Sequence, residues 1–541
     1  MSNSTTYESP LPSVAIIGMG FAGTWLEIYL LDSATTDMTF YEIETHQIRK
    51  GGGIAYAECG DMHQVNLAPE RMDGFHNQKF DYIKWLNSAD RNKWPEPFRS
   101  QVGNKEITTG SGTFPRSLYK LYNLDRLEEA KQRAKDRGLN INYVPIMAEA
   151  IAVSEKKDRT IIHLSAMVNS CGKELHVMNV DNGENHQVIT DIWVAATGHG
   201  PAIVPSFMKN ISKSFRVAID PWCPEIAQRM TERDQTESIL YIGTGMTTYD
   251  LIMLDQKREH TGKKIMISRH GDMHFVYNKG DVFNPKDLAF PEAFEKATNR
   301  DELFNGKPGE YPGAIEEFTK ATSPVSEGGL GLTSEDVLLV WQKQIPNILK
   351  HLTPADTLAL FRHKTIINTR CIGIAPEVGA AMEKAFDEGL EIWKGDIFDM
   401  EEREDGIYVD VNRTDEGHEK RQLLRFDRVY SGLGMGNDFN VIKNEMPLWN
   451  DIIENNCFTQ PHRFGGVVAE EGGKLPGSKA GFTIGMPLSG ARVERGFLPT
   501  VSGSVITIRT DFENVSNRIN KQLKELHTFW HNSSQHKIHN P

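Results

Sequence analysis

Apolar positions gather in short runs that end on glycine. Val14-Ala-Ile-Ile-Gly18 is such a run, and Thr24 to Leu31 then reads as an apolar-rich helix, so the chain opens with strand, tight turn and helix. The pattern returns at Ser238-Ile-Leu-Tyr-Ile-Gly243, which leads into a Gly/Thr turn and the helical Tyr249-Asp-Leu-Ile-Met-Leu254. Two such openings about 225 residues apart imply two nucleotide-type α/β units. Between them lie a helical stretch, Leu118 to Gly138, and alternating segments, Ile161-Ile-His-Leu-Ser165 and His176-Val-Met-Asn-Val180, that read as antiparallel strands. Residues Phe283 to Gly331, rich in Pro, Gly and charge, suggest a long surface excursion, and Ser334 to Phe361 turn helical. Alternation resumes at Gly406 to Val411 and Leu424 to Tyr430. A helix is expected around Val515 to Trp530, followed by a frayed tail over the last ten or so residues.

Composition narrows the class of protein without choosing a function. The 541 residues suggest about three domains or one large interrupted unit. Their 39% apolar and 25% charged content is that of a globular chain and excludes a disordered, collagenous or fibrous one. With 60 Lys and Arg against 73 Asp and Glu, the net charge is −13, which gives no electrostatic reason to bind nucleic acid or an anionic membrane. The five cysteines, Cys59, Cys171, Cys223, Cys371 and Cys457, stand far apart, with neither a disulfide framework nor metal-ligand spacing. With no signal peptide and no membrane-length apolar stretch in the sequence, a cytoplasmic protein is expected.

The glycines carry the chemistry. In Gly18-Met-Gly20-Phe21-Ala22-Gly23, the first glycine makes the turn, the second lets backbone N–H groups approach a pyrophosphate, and the third allows close helix–strand packing. Glu42 follows 19 residues after Gly23, where a carboxylate meets a ribose hydroxyl, with Glu44 as the competing candidate. The second turn, Gly243-Thr-Gly245-Met246-Thr247-Thr248, keeps the two glycines a phosphate needs and puts Thr in the third place. The strand after it, Lys264 to Ser268, runs into Arg269, whose guanidinium can pair with a 2′-phosphate and so favours NADPH over NADH. Two dinucleotide sites in one polypeptide suggest that one holds a flavin and the other delivers hydride to it.

The order and spacing of several further segments resemble the two-dinucleotide-binding-domain flavoproteins. Within that group the chain is similar to the bacterial FAD/NAD(P)-binding family that includes L-aspartate N-monooxygenases and FAD-dependent urate-hydroxylase-like proteins. The marks are Gly51-Gly-Gly-Ile-Ala55-Tyr56, Gln64-Val-Asn66 through Arg71-Met72, Phe114-Pro-Arg116, Ala196-Thr197-Gly198-His199, Asp220-Pro-Trp222, Arg362-His363 and Gly485-Met-Pro-Leu488. The resemblance implies an α/β fold of two Rossmann-like domains, with the FAD domain discontinuous: residues 1–200, then an NAD(P)H-binding domain over 201–424 with a partly helical insertion at about 283–361, then the rest of the FAD domain over 425–541. It also implies that Ala55, Tyr56, Asn66, Arg71, Met72 and Leu488 lie along FAD, that Arg116 is available to a phosphate or substrate, and that Thr197 and Gly198 form a hinge.

The reaction so implied is N-hydroxylation of an amino acid or related amine by FAD, NADPH and O2, through a C4a-(hydro)peroxyflavin. Alternatives are hydroxylation of a urate-like heterocycle, another FAD/NAD(P)H oxidoreductase, or a cofactor-binding scaffold without turnover. The Baeyer–Villiger fingerprint FxGxxxHxxxW is missing, since Phe215 to Trp222 lacks its Gly and His. No Ser/His/Asp, paired-carboxylate or metal arrangement stands out, which leaves His63, His199 and His363 as candidates for proton handling. Arg492 and Arg495 form a basic pair that could meet an anionic substrate.

Overall fold

The computed structural model describes the chain apart from residues 1–5, 58–63, 66, 76, 95, 97, 110, 157–158, 166–185, 224–225, 227–229, 231, 233, 275, 277–295, 314–350, 354–373, 416–420, 464, 495–504 and 539–541. Its first sheet has five parallel strands in the spatial order Gly481–Thr483, Ile192–Ala195, Ser13–Ile17, Met38–Glu44, Ile141–Met147. Ser13–Ile17 is apolar after its first residue and wholly buried, because a parallel strand near the centre of a sheet is covered on both faces. The helix Phe21–Ser33 is apolar on nearly every side for a similar reason, with Trp25, Leu26, Ile28 and Leu30 at 0% exposure. It packs against the helices Arg116–Asp136 and Val505–Ile538.

The second sheet has seven strands. Its parallel part runs Glu391–Arg403, Lys264–Ser268, Ile239–Ile242, Arg428–Ser431, Val217–Ala218. Gly406–Arg413 and Arg421–Phe426 extend it as an antiparallel meander. The domain boundary expected at 424/425 therefore needs correction: Arg428–Ser431 pairs with Ile239–Ile242 and belongs to the second unit, and the return to the first comes after it. The alternation read over Leu424 to Tyr430 is in fact two strands separated by Asp427. A four-stranded sheet, ordered Thr6–Tyr7, His186–Thr190, Arg159–Ser165, Glu149–Lys156, adjoins the first unit.

Both parallel sheets use the same lock. Ser13, at the start of its strand, donates its N–H and hydroxyl to one oxygen of Asp191, at 2.8 and 3.0 Å. Ser238, just before Ile239–Ile242, does the same to Asp427 at 2.8 and 2.7 Å. Each aspartate immediately precedes the neighbouring parallel strand, so each lock fixes register at the edge opposite the glycine turn.

The helices expected at Thr24 to Leu31, Leu118 to Gly138 and Tyr249 to Leu254 are present with small shifts at their ends. Nearly all of Ser334 to Phe361 lies outside the described residues. The C-terminal helix begins at Val505, ahead of the expected Val515, and continues through Ile538, where a frayed tail was expected. His176 to Val180 and most of the Phe283 to Phe361 excursion lie outside the described residues. The described parts of that excursion include the short helix Arg300–Asn305 and the paired segments Gly306–Lys307 and Tyr311–Pro312. No described helix is long and apolar enough to cross a membrane.

Under the first sheet, Glu27 is fully buried beside Glu42, which is itself paired with Lys50 and lies 3.7 Å from Lys131. Burial first, and the Glu42 carboxylate second, push the Glu27 carboxyl well above the ordinary range, so it keeps a proton that the unfolded chain releases. Folding stability must then fall as pH rises past about 4.5, by up to about 1.4 kcal/mol per pH unit from this group until its folded pKa is reached. In urea unfolding at pH 5, 6 and 7, Glu27→Gln is expected to lose less stability with rising pH than the parent. Equal slopes would show that Glu27 ionises in the fold.

Candidate functional site

The helices that follow the two glycine turns have bare amino ends. Phe21–Ser33 starts at Gly20 and Met246–Lys257 at Gly245, and neither has a side-chain cap or an acid in its first turn. Their leading N–H groups and positive dipole ends are left for an anion. Gly18 and Gly243 take φ of +96° and +99°, the left-handed region that the turn demands. A Cβ on Gly23 would sit 2.0 Å from the Gly18 carbonyl oxygen, which explains the third glycine.

Thr248 occupies the corresponding place in the second turn. Its hydroxyl donates to the Gly243 carbonyl at 2.9 Å, turning the close approach into a hydrogen bond. The glycine has moved to the facing residue: a Cβ on Gly432 would lie 2.0 Å from that hydroxyl oxygen. Around Gly245, among the described residues and apart from its chain neighbours, nothing stands within 4 Å of where a Cβ would be.

A cavity of about 430 Å³ begins at the first helix N-terminus, a volume suited to a small molecule. Gly18, Gly20, Phe21 and Ala22 form one wall, the Gly52 to Tyr56 segment another, and Thr197, Gly198 and His199 a third. Arg116, Trp222, Gly485 and Met486 also border it. Gly20 approaches Gly53 so closely that a Cβ would meet its Cα at 3.0 Å, and Gly485, at φ +80°, would press a Cβ against Ala22. A bare helix end that donates N–H groups, close backbone walls and an accepting carboxylate at the strand end together fit FAD.

That carboxylate belongs to Glu44, correcting the preference for Glu42. Side chains two apart in a strand share a face. Glu42, inside the strand, stays beneath the helices with Lys50 and Lys131, whereas Glu44, at its end, emerges beside the glycine turn. Glu44 accepts the Met19 N–H at 2.8 Å through one oxygen and the Thr45 N–H at 2.8 Å through the other.

Other expected residues divide sharply. Ala55 and Tyr56 border the cavity, while Met72 and Leu488 are core residues at 1% and 3% exposure. Arg71 ends the short turn Pro69–Arg71 and is half-buried; its neighbour Asp73 accepts the N–H groups of Phe80 and Tyr82. Thr197 accepts the Trp449 indole N–H at 2.9 Å, which ties this segment to the helix Pro447–Asn450. Arg492 does not face the cavity: at 0% exposure it pairs with buried Asp511 at 2.7 Å, so its charge is already neutralised inside the protein. Asn66, His63, His363 and Arg495 lie outside the described residues.

His199 borders the cavity and its side chain is exposed there. The protein crowded around it pushes its imidazolium pKa down, a shift that water in the cavity weakens and a bound molecule strengthens. Burial also raises the Glu149 carboxyl at the cavity's edge.

In the second unit, Met246 and Thr247 open the helix and Arg269 is exposed just after Lys264–Ser268, on the same sheet edge as the Gly243 turn. Among the described residues no group of His, Cys, Asp and Glu could hold a metal. The cavity also draws on Ala148 to Ala150, Met446 to Trp449 and Ile508, which follow strands or open helices distant in sequence and carry no motif that would have revealed them.

Residues 15–180 match the FAD-NAD(P)-binding family model. No curated protein matches the chain. Among solved structures, it resembles the reduced ornithine hydroxylase of Pseudomonas aeruginosa at 12% identity and TM-score 0.53, covering 95% of this chain and 100% of the other. The ornithine N-hydroxylase of a Kutzneria species, solved with reduced FAD, NADP+ and L-ornithine, gives 14% identity and TM-score 0.53 over 95% and 100%. The FAD-bound cadaverine monooxygenase of Erwinia amylovora gives 12% and 0.51 over 95% of each. These likenesses establish architecture: the chain has the fold of the two-dinucleotide-binding-domain flavoproteins, and its residues 15–180 match the FAD-NAD(P)-binding family model.

Proposed function

We propose that this protein is an FAD- and NADPH-dependent monooxygenase that transfers one atom of O2 to the nitrogen of an amino acid or related amine, working in the cytoplasm. The observation that carries the reading is the pair of bare helix ends, one opening into a cavity bordered by the Thr197-Gly198 hinge and the other in the adjoining unit. The names of the similar structures, which act on ornithine and cadaverine, favour an amine acceptor over a urate-like ring.

FAD, when bound, supplies the redox chemistry, accepting hydride from NADPH and activating O2. The chain's own residues bind and orient. The Gly18 to Ala22 turn directs N–H groups at the pyrophosphate, Glu44 takes a ribose hydroxyl, and Arg269 takes the 2′-phosphate of NADPH. Trp222, Met435 and Met486 line the cavity with apolar surface that keeps water from the reacting end. A pKa pushed downward makes His199 a weak acceptor for the proton that an ammonium substrate must lose before its nitrogen becomes nucleophilic, so no base role falls to His199.

Purified protein is expected to be yellow, to bleach under anaerobic NADPH and to recover its colour with air, with a hydroxylamine detected by mass spectrometry from one member of an amino-acid and amine panel. Colourless protein that releases no flavin on denaturation would favour the scaffold reading, and an oxygenated purine would favour the urate-like one. Arg269→Ala should raise the KM for NADPH about tenfold or more and leave that for NADH nearly unchanged, the loss of one charge-assisted contact. Glu44→Gln should weaken FAD binding to apoprotein, followed by flavin fluorescence, by about tenfold, while Glu42→Gln lowers stability and spares FAD affinity.

A further inference from the structure

Among the described residues, the junctions between the two dinucleotide units include one made by backbone hydrogen bonds and one made by an ion pair. The linkers between them run side by side, with Gly200 N–H donating to the Gly436 carbonyl at 3.0 Å, Gly436 N–H to that of Pro201 at 2.8 Å and Ile203 N–H to that of Gly434 at 3.1 Å. The other junction is an ion pair: Arg116 Nη2 stands 3.0 Å from Asp250 Oδ2, with side-chain exposures of 17% and 7%. Arg116 is the first residue of the helix Arg116–Asp136 in the first unit and borders the cavity. Asp250 lies on the Met246–Lys257 helix, five residues beyond its Gly245 cap.

Both ends of this pair are anchored. Arg116 Nε donates to the Gln64 carbonyl at 3.0 Å, and Gln64 forms a β-bridge with Pro115, so the guanidinium is held on two edges. Asp250 rides on a helix whose neighbouring Tyr249 hydroxyl accepts the His274 N–H at 3.0 Å. Removing either partner leaves a largely buried charge without its counter-ion, so the junction tolerates neither loss nor drift. Asp250 is also a negative charge near a helix end that must receive an anionic dinucleotide, and Arg116 offsets the repulsion.

We propose that Arg116 and Asp250 are a positioning pair whose ion pair fixes the second dinucleotide unit against the flavin-binding unit and so sets the approach of the nicotinamide to the flavin. This rests on the function proposed above. The pair acts on the hydride-transfer half of the cycle, because that step needs both units in register, whereas the reaction with O2 needs no approach of the nicotinamide. Occupied in this way, Arg116 is a structural cation of the junction and not the anion receptor that its place beside Phe114-Pro115 suggests in the sequence.

The test separates the half-reactions by stopped-flow spectroscopy of the holoenzyme. Asp250→Asn and Arg116→Gln should each slow anaerobic flavin reduction by NADPH about tenfold to a hundredfold, while reoxidation of dithionite-reduced enzyme by O2 changes less than about twofold. The charge reversal Arg116→Asp with Asp250→Arg should recover most of the lost rate. Unchanged reduction in both single variants, or equal slowing of both half-reactions with no recovery in the reversal, overturns the proposal. Should the single variants fail to fold, Asp250→Glu and Arg116→Lys, which keep the charges and shift them, are held to the same criteria. If the parent enzyme binds FAD but no nicotinamide dinucleotide reduces it, the proposed function fails by itself. The pair is then judged by hydrogen exchange in the Met246–Lys257 helix, which must rise in the single variants and fall back in the reversal; unchanged exchange overturns it.

Discussion

A helix whose first N–H groups find no side-chain acceptor must meet an anion or water, and the helices that follow the glycine turns at Gly20 and Gly245 are both in that condition. Much of the surrounding construction keeps those ends bare and reachable. Gly18 and Gly243 turn the chain from strand to helix without a side chain in the way. The rule in the first unit is absence of bulk at Gly23; in the second it is a hydrogen bond from Thr248 with the bulk removed from Gly432 instead. The same constraint has two solutions, which is why a third glycine is a poor criterion for the second turn. An overall charge of −13 does not oppose anion binding at these ends, because helix dipoles and a few placed cations act at contact distance while distant surface charge is screened by salt.

The opposite edge of each sheet carries the complementary duty. Ser13 with Asp191, and Ser238 with Asp427, tie the start of a central strand to the residue before its parallel neighbour. A slip of one residue would turn each buried strand face over and break a carboxylate's two hydrogen bonds together. The turn edge, freed from setting register, can hold glycines and positive φ angles.

What the sequence made legible follows from this division. Features written in contiguous residues were readable: both strand-turn-helix openings, the parallel α/β class, Arg269 after its strand. Features decided by where a side chain points were not. Glu42 and Glu44 satisfy the same spacing, and only the end of the strand distinguishes a buried partner of Lys50 from a carboxylate at the cavity. Arg492 reads as an exposed cation until Asp511, from a separate helix, is brought to 2.7 Å. The cavity wall at Ala148 to Ala150 and Met446 to Trp449 had no local signature, since its only distinguishing property is adjacency across hundreds of residues.

That separation also orders the assembly of the molecule. Gly481–Thr483 pairs beside Ile192–Ala195, and Thr483 donates its hydroxyl to the Ala195 carbonyl at 2.8 Å across 288 residues of sequence. The whole second sheet, from Val217 to Ser431, lies between those partners. Its strands can find one another before the first sheet receives its fifth, whereas the first unit cannot close until the chain has passed through the second. Gly485, which borders the cavity just beyond that last strand, arrives at the same moment. The cavity is therefore completed by the longest-range pairing in the first sheet, and its integrity reports that both units are in place.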